Sequence, residues 1–440
     1  MLTAISKALE FTKEDELGQL SFVERVLYWT IVLTPVWWLL GIQTLLYPAI
    51  AVWLLVCSFR LDKLLNIALP TCIWAWLAMA IAMLWTAALG LVDVNFEPFR
   101  LISTLVTFFK GYFLILSCLI LPFWNPIRSK VLTRAIAWMA VGYGITVILQ
   151  FILLFVGIWD QPFYPPLARL IPGDKLSLLV KPAIIQTFFG IPLPRTSLYM
   201  ADPPIPGVCG LLCFFICSGE SNRRLRYLAI AGSLLALLVS QSRVAWLCFP
   251  VVVWISLSFR NRTARHSSLW ITSAVFLSCA FIGVTLVDVI HQSLDVFTGA
   301  RAASSADRSL VVGETLKAWQ QRPWLGWGIA QGEVTWYIYK VVLGSFSTYA
   351  GVLYLHGILG FICLITALST TLWNFWNIAI AGNKLAQGAF ASFLALCLLI
   401  EGLPLSWMCI YFWFYFIWLG VILFENQLKR PRISQWHQLI

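Results

Sequence analysis

Two arginines in this chain stand where arginine is expensive. Arg243 follows Ser240-Gln241-Ser242 in the short break between two apolar stretches. Arg308 lies in the longest weakly hydrophobic stretch, residues 299–360, with Arg301 two helical turns before it. A guanidinium at the edge of a membrane span either snorkels to headgroup level or meets an anion. Its planar fork matches phosphate oxygens in a bidentate way that an ammonium cannot. Held beside a phosphoryl group, such a cluster would offset the negative charge that develops as a bond to that group breaks. The competing reading is a basic loop solvated near anionic lipid. Lys110, among Phe108, Phe109 and Tyr112, is a third candidate, because an ionisable group inside a span is either functional or reaches for the interface along its own stem.

Other chemistries lack their residues. The sequence holds no Walker loop, no dinucleotide fingerprint and no HExxH, and His266, His291, His356 and His437 are scattered. Cys209, Cys213 and Cys217 share one helical face at spacings of four, yet buried cysteine ordinarily packs as a small apolar residue. Neither a metal nor a cofactor is expected. The cysteines fall inside apolar spans, so no disulfide framework is implied.

The arginines need elements to hold them. Ser304-Ser305-Ala306-Asp307 reads as a helix start of the capping-box type. The helix that follows would put Arg308, Val312, Leu316 and Trp319 on one face and stop before Pro323. Gly326 and Gly328 then permit a tight turn. The expected product is a short amphipathic helix carrying an arginine on or near its membrane side. Trp324, Trp327 and Trp336 nearby are candidates for stacking on sugar rings or for anchoring at the interface.

Composition decides the wider class. Of the 440 residues 60% are hydrophobic and only 11% charged, and the mean hydropathy is +0.84. That excludes an ordinary soluble domain, in which about a quarter of residues are charged. Apolar runs near 24–40, 42–58, 66–91, 101–122, 131–158, 203–218, 225–240, 242–258, 268–287, 345–372, 386–402 and 404–424 predict an all-α polytopic membrane protein with about twelve transmembrane helices. The net charge of +11 suggests nucleic acid, but the basic residues are dispersed through short loops, and no nucleic-acid partner is expected. Basic loops alternate: Arg60 and Lys63; Arg128, Lys130 and Arg134; Arg223, Arg224 and Arg226; Arg260, Arg262 and Arg265; Lys384; then Lys429, Arg430 and Arg432. The positive-inside rule then places the chain in the cytoplasmic membrane with both termini in the cytoplasm. Residues 1–440 form one integral membrane domain whose two longer segments, 159–202 and 288–344, lie outside. The first of these is proline-rich, and its apolar pieces Leu176–Val180 and Ala183–Gly190 are too short to span, so an interfacial or re-entrant piece is expected. The mixed, charged N-terminal residues do not read as a cleavable signal peptide.

Four motifs resemble the O-antigen ligase and polysaccharide polymerase superfamily of membrane glycosyltransferases. They are Arg308-Ser309, six residues, then Leu316-Lys317-Ala318-Trp319; Pro323-Trp324-Leu325-Gly326-Trp327-Gly328; Gly344-Ser345-Phe346-Ser347-Thr348-Tyr349; and Gly357-Ile358-Leu359-Gly360. The resemblance covers roughly residues 195–360. It implies an inverting, metal-independent glycosyltransferase that uses a polyprenyl-pyrophosphate-linked oligosaccharide at the outer face, in surface polysaccharide biosynthesis. Membrane lipid and polysaccharide-assembly proteins would be its further partners. It implies catalytic roles for Arg308 and Arg243, and substrate binding by Arg301, Arg195, Ser345 and Ser347. The chain departs at one position. Where the ligases carry a histidine proposed as general base, this sequence has Phe346, which accepts no proton. Three explanations stay open: the acceptor needs little activation, another group such as Glu314, Glu333, His291 or His356 has taken the role, or transfer is lost. Two other functions also stay open, a transporter of a small anion or lipid-linked sugar and a non-catalytic partner of a glycan machine. A transporter would favour charged or broken helices at mid-membrane, whereas these arginines cluster at one face.

The orientation can be measured directly. In intact cells with internal thiols blocked or removed, a cysteine at Ser305 should react with an impermeant reagent added outside and one at Ser221 should not; the reverse pattern would overturn the outer-face assignment.

Overall fold

The structure, a computed structural model, describes residues 18–59, 68–168, 178–282, 285, 288, 299, 302–336 and 339–429; Arg301, His291 and His437 lie outside them. The chain runs α1 (Phe22–Val32), α2 (Thr34–Leu40), α3 (Gln43–Ser58), α4 (Thr71–Val92), α5 (Pro98–Lys110), α6 (Tyr112–Trp124) and α7 (Ser129–Val156). After a hairpin of β1 (Ile184–Phe188) and β2 (Ile191–Arg195) come α8 (Pro204–Cys217), α9 (Arg223–Val239), α10 (Arg243–Arg260), α11 (Arg262–Ile282) and α12 (Ala302–Gln320). A second hairpin, β3 (Glu333–Trp336) and β4 (Tyr339–Val342), leads into α13 (Thr348–Ile380), α14 (Lys384–Leu399), α15 (Leu405–Met408) and α16 (Trp413–Lys429).

Among the described residues, the apolar runs singled out above fall mostly on helix. By length and composition six of these segments among the described residues suffice to cross a membrane: 71–92, 98–124, 129–156, 243–260, 348–380 and 405–428. Three shorter apolar helices, α3, α8 and α14, accompany them. The run near 24–40 is two helices, with Pro35 in the first turn of α2, and the run near 101–122 is divided at Gly111. The core lies where α13 packs on α4, α9 on α7 and α8, and α16 on α6. Over Trp413–Leu423 α16 is apolar and buried all round, with Tyr415, Phe416, Ile417, Trp418 and Leu419 at zero exposure; its polar last turns, from Glu425, are more open.

Part of the first proline-rich segment is a β-hairpin: Ile184–Phe188 pairs antiparallel with Ile191–Arg195, Ile184 opposite Arg195. Phe189 and Gly190 both have positive φ, the requirement of a two-residue hairpin turn.

One end of the bundle is stitched by ion pairs. Arg134 Nη2 lies 2.8 Å from Glu220 Oε1, both side chains buried, and Arg128 Nε lies 2.7 Å from Glu24 Oε1. Arg134 therefore does more than set orientation: it joins α7 to the loop before α9.

α13 is broken. Gly357 sits at φ 62°, ψ −165°, a region that only glycine occupies readily. The break frees backbone groups that then need partners outside their own helix. The turn after α12 supplies their partners. Trp327 N–H donates to the Tyr354 carbonyl (2.9 Å) and Gly328 N–H to the Leu355 carbonyl (2.7 Å). In return Ile358 N–H donates to the Pro323 carbonyl (2.9 Å) and Leu359 N–H to the Trp324 carbonyl (3.3 Å). The Pro-Trp-Leu-Gly-Trp-Gly turn and the Gly357–Gly360 motif are thus two halves of one joint. Gly328 presses its α-carbon against Gly90 of α4, so the joint grips a third element.

A side chain at Gly357 would adopt a forbidden conformation and run into the Trp324 backbone. G357A should cost about 1–3 kcal/mol of stability from the backbone conformation alone, read as a lower melting temperature of the detergent-solubilised protein. G313A, where nothing stands within 4 Å and φ is ordinary, is the control and should be neutral or slightly stabilising.

Candidate functional site

The end of the bundle opposite those ion pairs gathers the sequence-predicted residues. α12 is already helical at Ala302, so the predicted start at Ser304–Asp307 falls inside it. Within it the Ser305 hydroxyl accepts from Arg243 Nη1 at 2.9 Å. The inward face is set by Arg308, Val311 and Thr315, not by Val312 and Leu316, which are half-buried. Thr315 decides that rotation. Its Oγ1 donates to the Val311 carbonyl (2.7 Å) and accepts from Gly344 N–H (3.0 Å), docking α12 on the segment before α13.

With α12 so held, Arg308 lies over the ring of Phe346, its guanidinium carbon 5.3 Å from the ring centroid. Its Nη1 donates to the Gly402 carbonyl at 3.0 Å. Burial pushes the Arg308 guanidinium below its ordinary value, the nearby Arg243 pushes the same way, and Asp202 pulls back. Two cations are thus brought together from α10 and α12 in a partly desolvated place, an arrangement that favours an anion.

The other named residues divide. Arg195 is a buried brace: Nε donates to the Ser240 carbonyl (3.0 Å) and Nη1 to Gln186 Oε1 (2.7 Å), tying the first hairpin to the turn that presents Arg243. Ser347 caps α13, accepting from Ala350 N–H at 3.3 Å. The Ser345 hydroxyl is buried without a hydrogen-bond partner among the described residues. Trp327 is covered by Arg322 (4.4 Å to the ring centroid), which also pairs with Asp93, so it is a structural ring; Trp324 is exposed, and the side chain of Trp336 lies outside the described residues. Lys110 is half-buried at the Gly111 junction, away from the arginines' contacts.

A cavity of about 190 Å³ lies between α4, α5 and the start of α13; Arg243 and Arg308 are not in its lining, but Ser347, next in the chain to the Phe346 beneath Arg308, is. Arg100, Ser103, Thr104 and Thr107 line one side of it, at the spacing of a single helical face. The opposite face of α5 exposes Phe99, Ile102, Leu105 and Phe109. Ser347 and His356 line the far wall, and His356 Nδ1 meets Thr86 Oγ1 at 2.6 Å.

Sequence reasoning missed Glu401. It stands in the loop between α14 and α15, where Thr348 fixes the chain: Thr348 N–H donates to the Ile400 carbonyl (2.9 Å), its hydroxyl donates to the Leu403 carbonyl, and Leu405 N–H donates back to that hydroxyl (2.8 Å). Glu401 Oε2 lies 3.5 Å from Ser347 Oγ. A carboxylate at the end of an apolar run is a signal in itself.

Arg195 and Arg308 should fail differently when truncated. R195A leaves one buried and one half-buried acceptor without this donor and should lower thermal stability by about 1–3 kcal/mol, whereas R308A should leave the melting temperature nearly unchanged; equal losses would contradict the brace.

No curated protein matches the sequence. Residues 228–365, which contain Arg243, Arg308 and Phe346, match the family model described as O-antigen ligase. Over that stretch the chain is similar to the O-antigen ligase family, and the match together with the membrane-length apolar helices supports a membrane glycan ligase or polymerase role.

Proposed function

We propose that the protein transfers or polymerises glycan from a polyprenyl-pyrophosphate donor at the outer face of the cytoplasmic membrane, in surface polysaccharide biosynthesis. The observation that carries this reading is the meeting of Arg243 and Arg308 from separate helices, with Ser347, next in the chain to the Phe346 beneath Arg308, forming part of a hydroxyl-lined cavity. The two guanidiniums would hold the pyrophosphate and stabilise the charge it gains as the sugar–phosphate bond breaks. Phe346 would keep Arg308 aimed by presenting its ring face to the cation. Ser103, Thr104 and Thr107 offer the hydroxyl groups that a sugar would exchange for water, and Ser345 a further one. Arg195 would act at one remove, by holding the turn before Arg243. Arg301 would extend the basic cluster. Inverting, metal-independent chemistry follows from the resemblance.

The outer-face assignment rests on the basic loops at the opposite end, Arg223, Arg224, Arg226, Arg260, Arg262 and Lys384. The broken helix is the device a transporter would use, but here the amides and carbonyls freed at Gly357 are taken by the Pro323–Gly328 turn and not offered to an ion. That favours transfer over transport.

R308A and R243A should each lower transfer by about 10²–10³-fold or more, at normal membrane abundance. Lysine should restore little at either position, because it cannot make the bidentate contact. Chain length and amount of lipid-linked product, measured on extracted lipids, check this; wild-type product from both alanine variants would reduce the arginines to anchors.

A further inference from the structure

We propose that Glu401 is the proton acceptor for the incoming hydroxyl, filling the part left open by Phe346; the proposal rests on the transferase reading above. Of the groups the sequence offers for this part, His291 lies outside the described residues and the other three are committed elsewhere. Glu314 pairs with Lys317 at 2.7 Å and Glu333 with Lys340 at 3.6 Å. His356 is 2% exposed and bonded to Thr86.

Glu401 differs in each respect. It is exposed, yet its backbone is fixed by the three hydrogen bonds of Thr348. Its carboxylate touches Ser347, the residue next to Phe346 in the chain and part of the cavity wall. The following residue, Gly402, receives the Arg308 guanidinium. Base and leaving-group cation are therefore anchored to one short loop, on the two sides of the Phe346 ring's own segment. Burial of part of the carboxyl raises its proton affinity above the usual carboxylate range, while the Ser347 hydroxyl holds it down. The charged and titratable neighbours are Arg308 from α12, with Arg243 and Asp202 behind it, and Tyr349 from α13.

A carboxylate is an adequate base for an inverting displacement at a sugar carbon; inverting glycosidases activate their nucleophile with one. The acceptor hydroxyl would give its proton to Glu401 as its oxygen bonds to the anomeric carbon. The bond from that carbon to the phosphate oxygen breaks with its electron pair, and the polyprenyl pyrophosphate leaves as an anion held by Arg308 and Arg243. No further reactant is required.

The test uses the full-length protein reconstituted in liposomes with extracted lipid-linked oligosaccharide, reading donor binding and glycan transfer separately across pH. E401Q, nearly isosteric, should bind donor as wild type does and lose about 10²-fold or more in transfer. S347A should move the acid limb of the transfer profile to higher pH, because losing the Ser347 hydroxyl lets the carboxyl keep its proton longer. Wild-type turnover in E401Q, donor binding lost in step with turnover, or an acid limb unmoved by S347A would each overturn the assignment. R308A separates the two levels. If R308A is inactive and E401Q active, only the Glu401 proposal falls; if wild type and R308A transfer alike, the transferase reading falls with it.

Discussion

A helix inside a membrane cannot leave its backbone groups unpaired, and in this protein one helix is broken. The structure of the site follows from how that debt is met. At Gly357 the chain takes a conformation no other residue tolerates, and the turn at Pro323–Gly328 fills the gap with two amides and two carbonyls. Those four bonds fix the end of α12 against α13. Thr315, near the middle of α12, then meets Gly344, and Arg308, two turns earlier, arrives over Phe346. Glycine spacing far from the arginines thereby determines where the arginines are.

Placing two guanidiniums side by side in a partly buried site is unfavourable in the empty protein. Arg308 offsets part of this with the Gly402 carbonyl, the Phe346 ring and the field of Asp202. What remains is a site whose electrostatics improve when a multiply charged anion enters. Such preorganisation belongs to catalysis by charge stabilisation, where donors are aimed before the charge develops. The exchange of histidine for phenylalanine at position 346 fits that emphasis. A ring beneath the cation strengthens its orientation, and a proton acceptor can come from the adjoining loop.

Much of this was legible in the sequence. The helices were, because long apolar runs have few alternatives and proline and glycine mark their ends. So were Arg243 and Arg308, whose cost at a span edge calls for a reason. The first hairpin was hidden because Ile184–Phe188 is short and Ile191–Arg195 carries Pro192 and Pro194, a pattern shared with interfacial segments. The rotation of α12 was hidden too: Val311 and Val312 are the same residue, and only Thr315 docking on Gly344 chooses between them. Glu401 escaped notice because its meaning lies in Thr348 and Ser347, more than fifty positions away in the chain. Distant pairing of this kind leaves no local periodicity to read.

The two faces of α5 set the conditions under which any ligand of the cavity must work. Arg100, Ser103, Thr104 and Thr107 look into the cavity, while Phe99, Ile102, Leu105 and Phe109 stand on the outside of the protein where acyl chains would lie. A single helix is thus the partition between solvent-like hydroxyls and hydrocarbon. A ligand that keeps its tail dissolved in the bilayer and presents only its head to the cavity approaches by lateral diffusion. For such a ligand the governing concentration is a surface density, molecules per area of leaflet. Occupancy would then respond to how much lipid dilutes the carrier, and bulk volume would hardly matter.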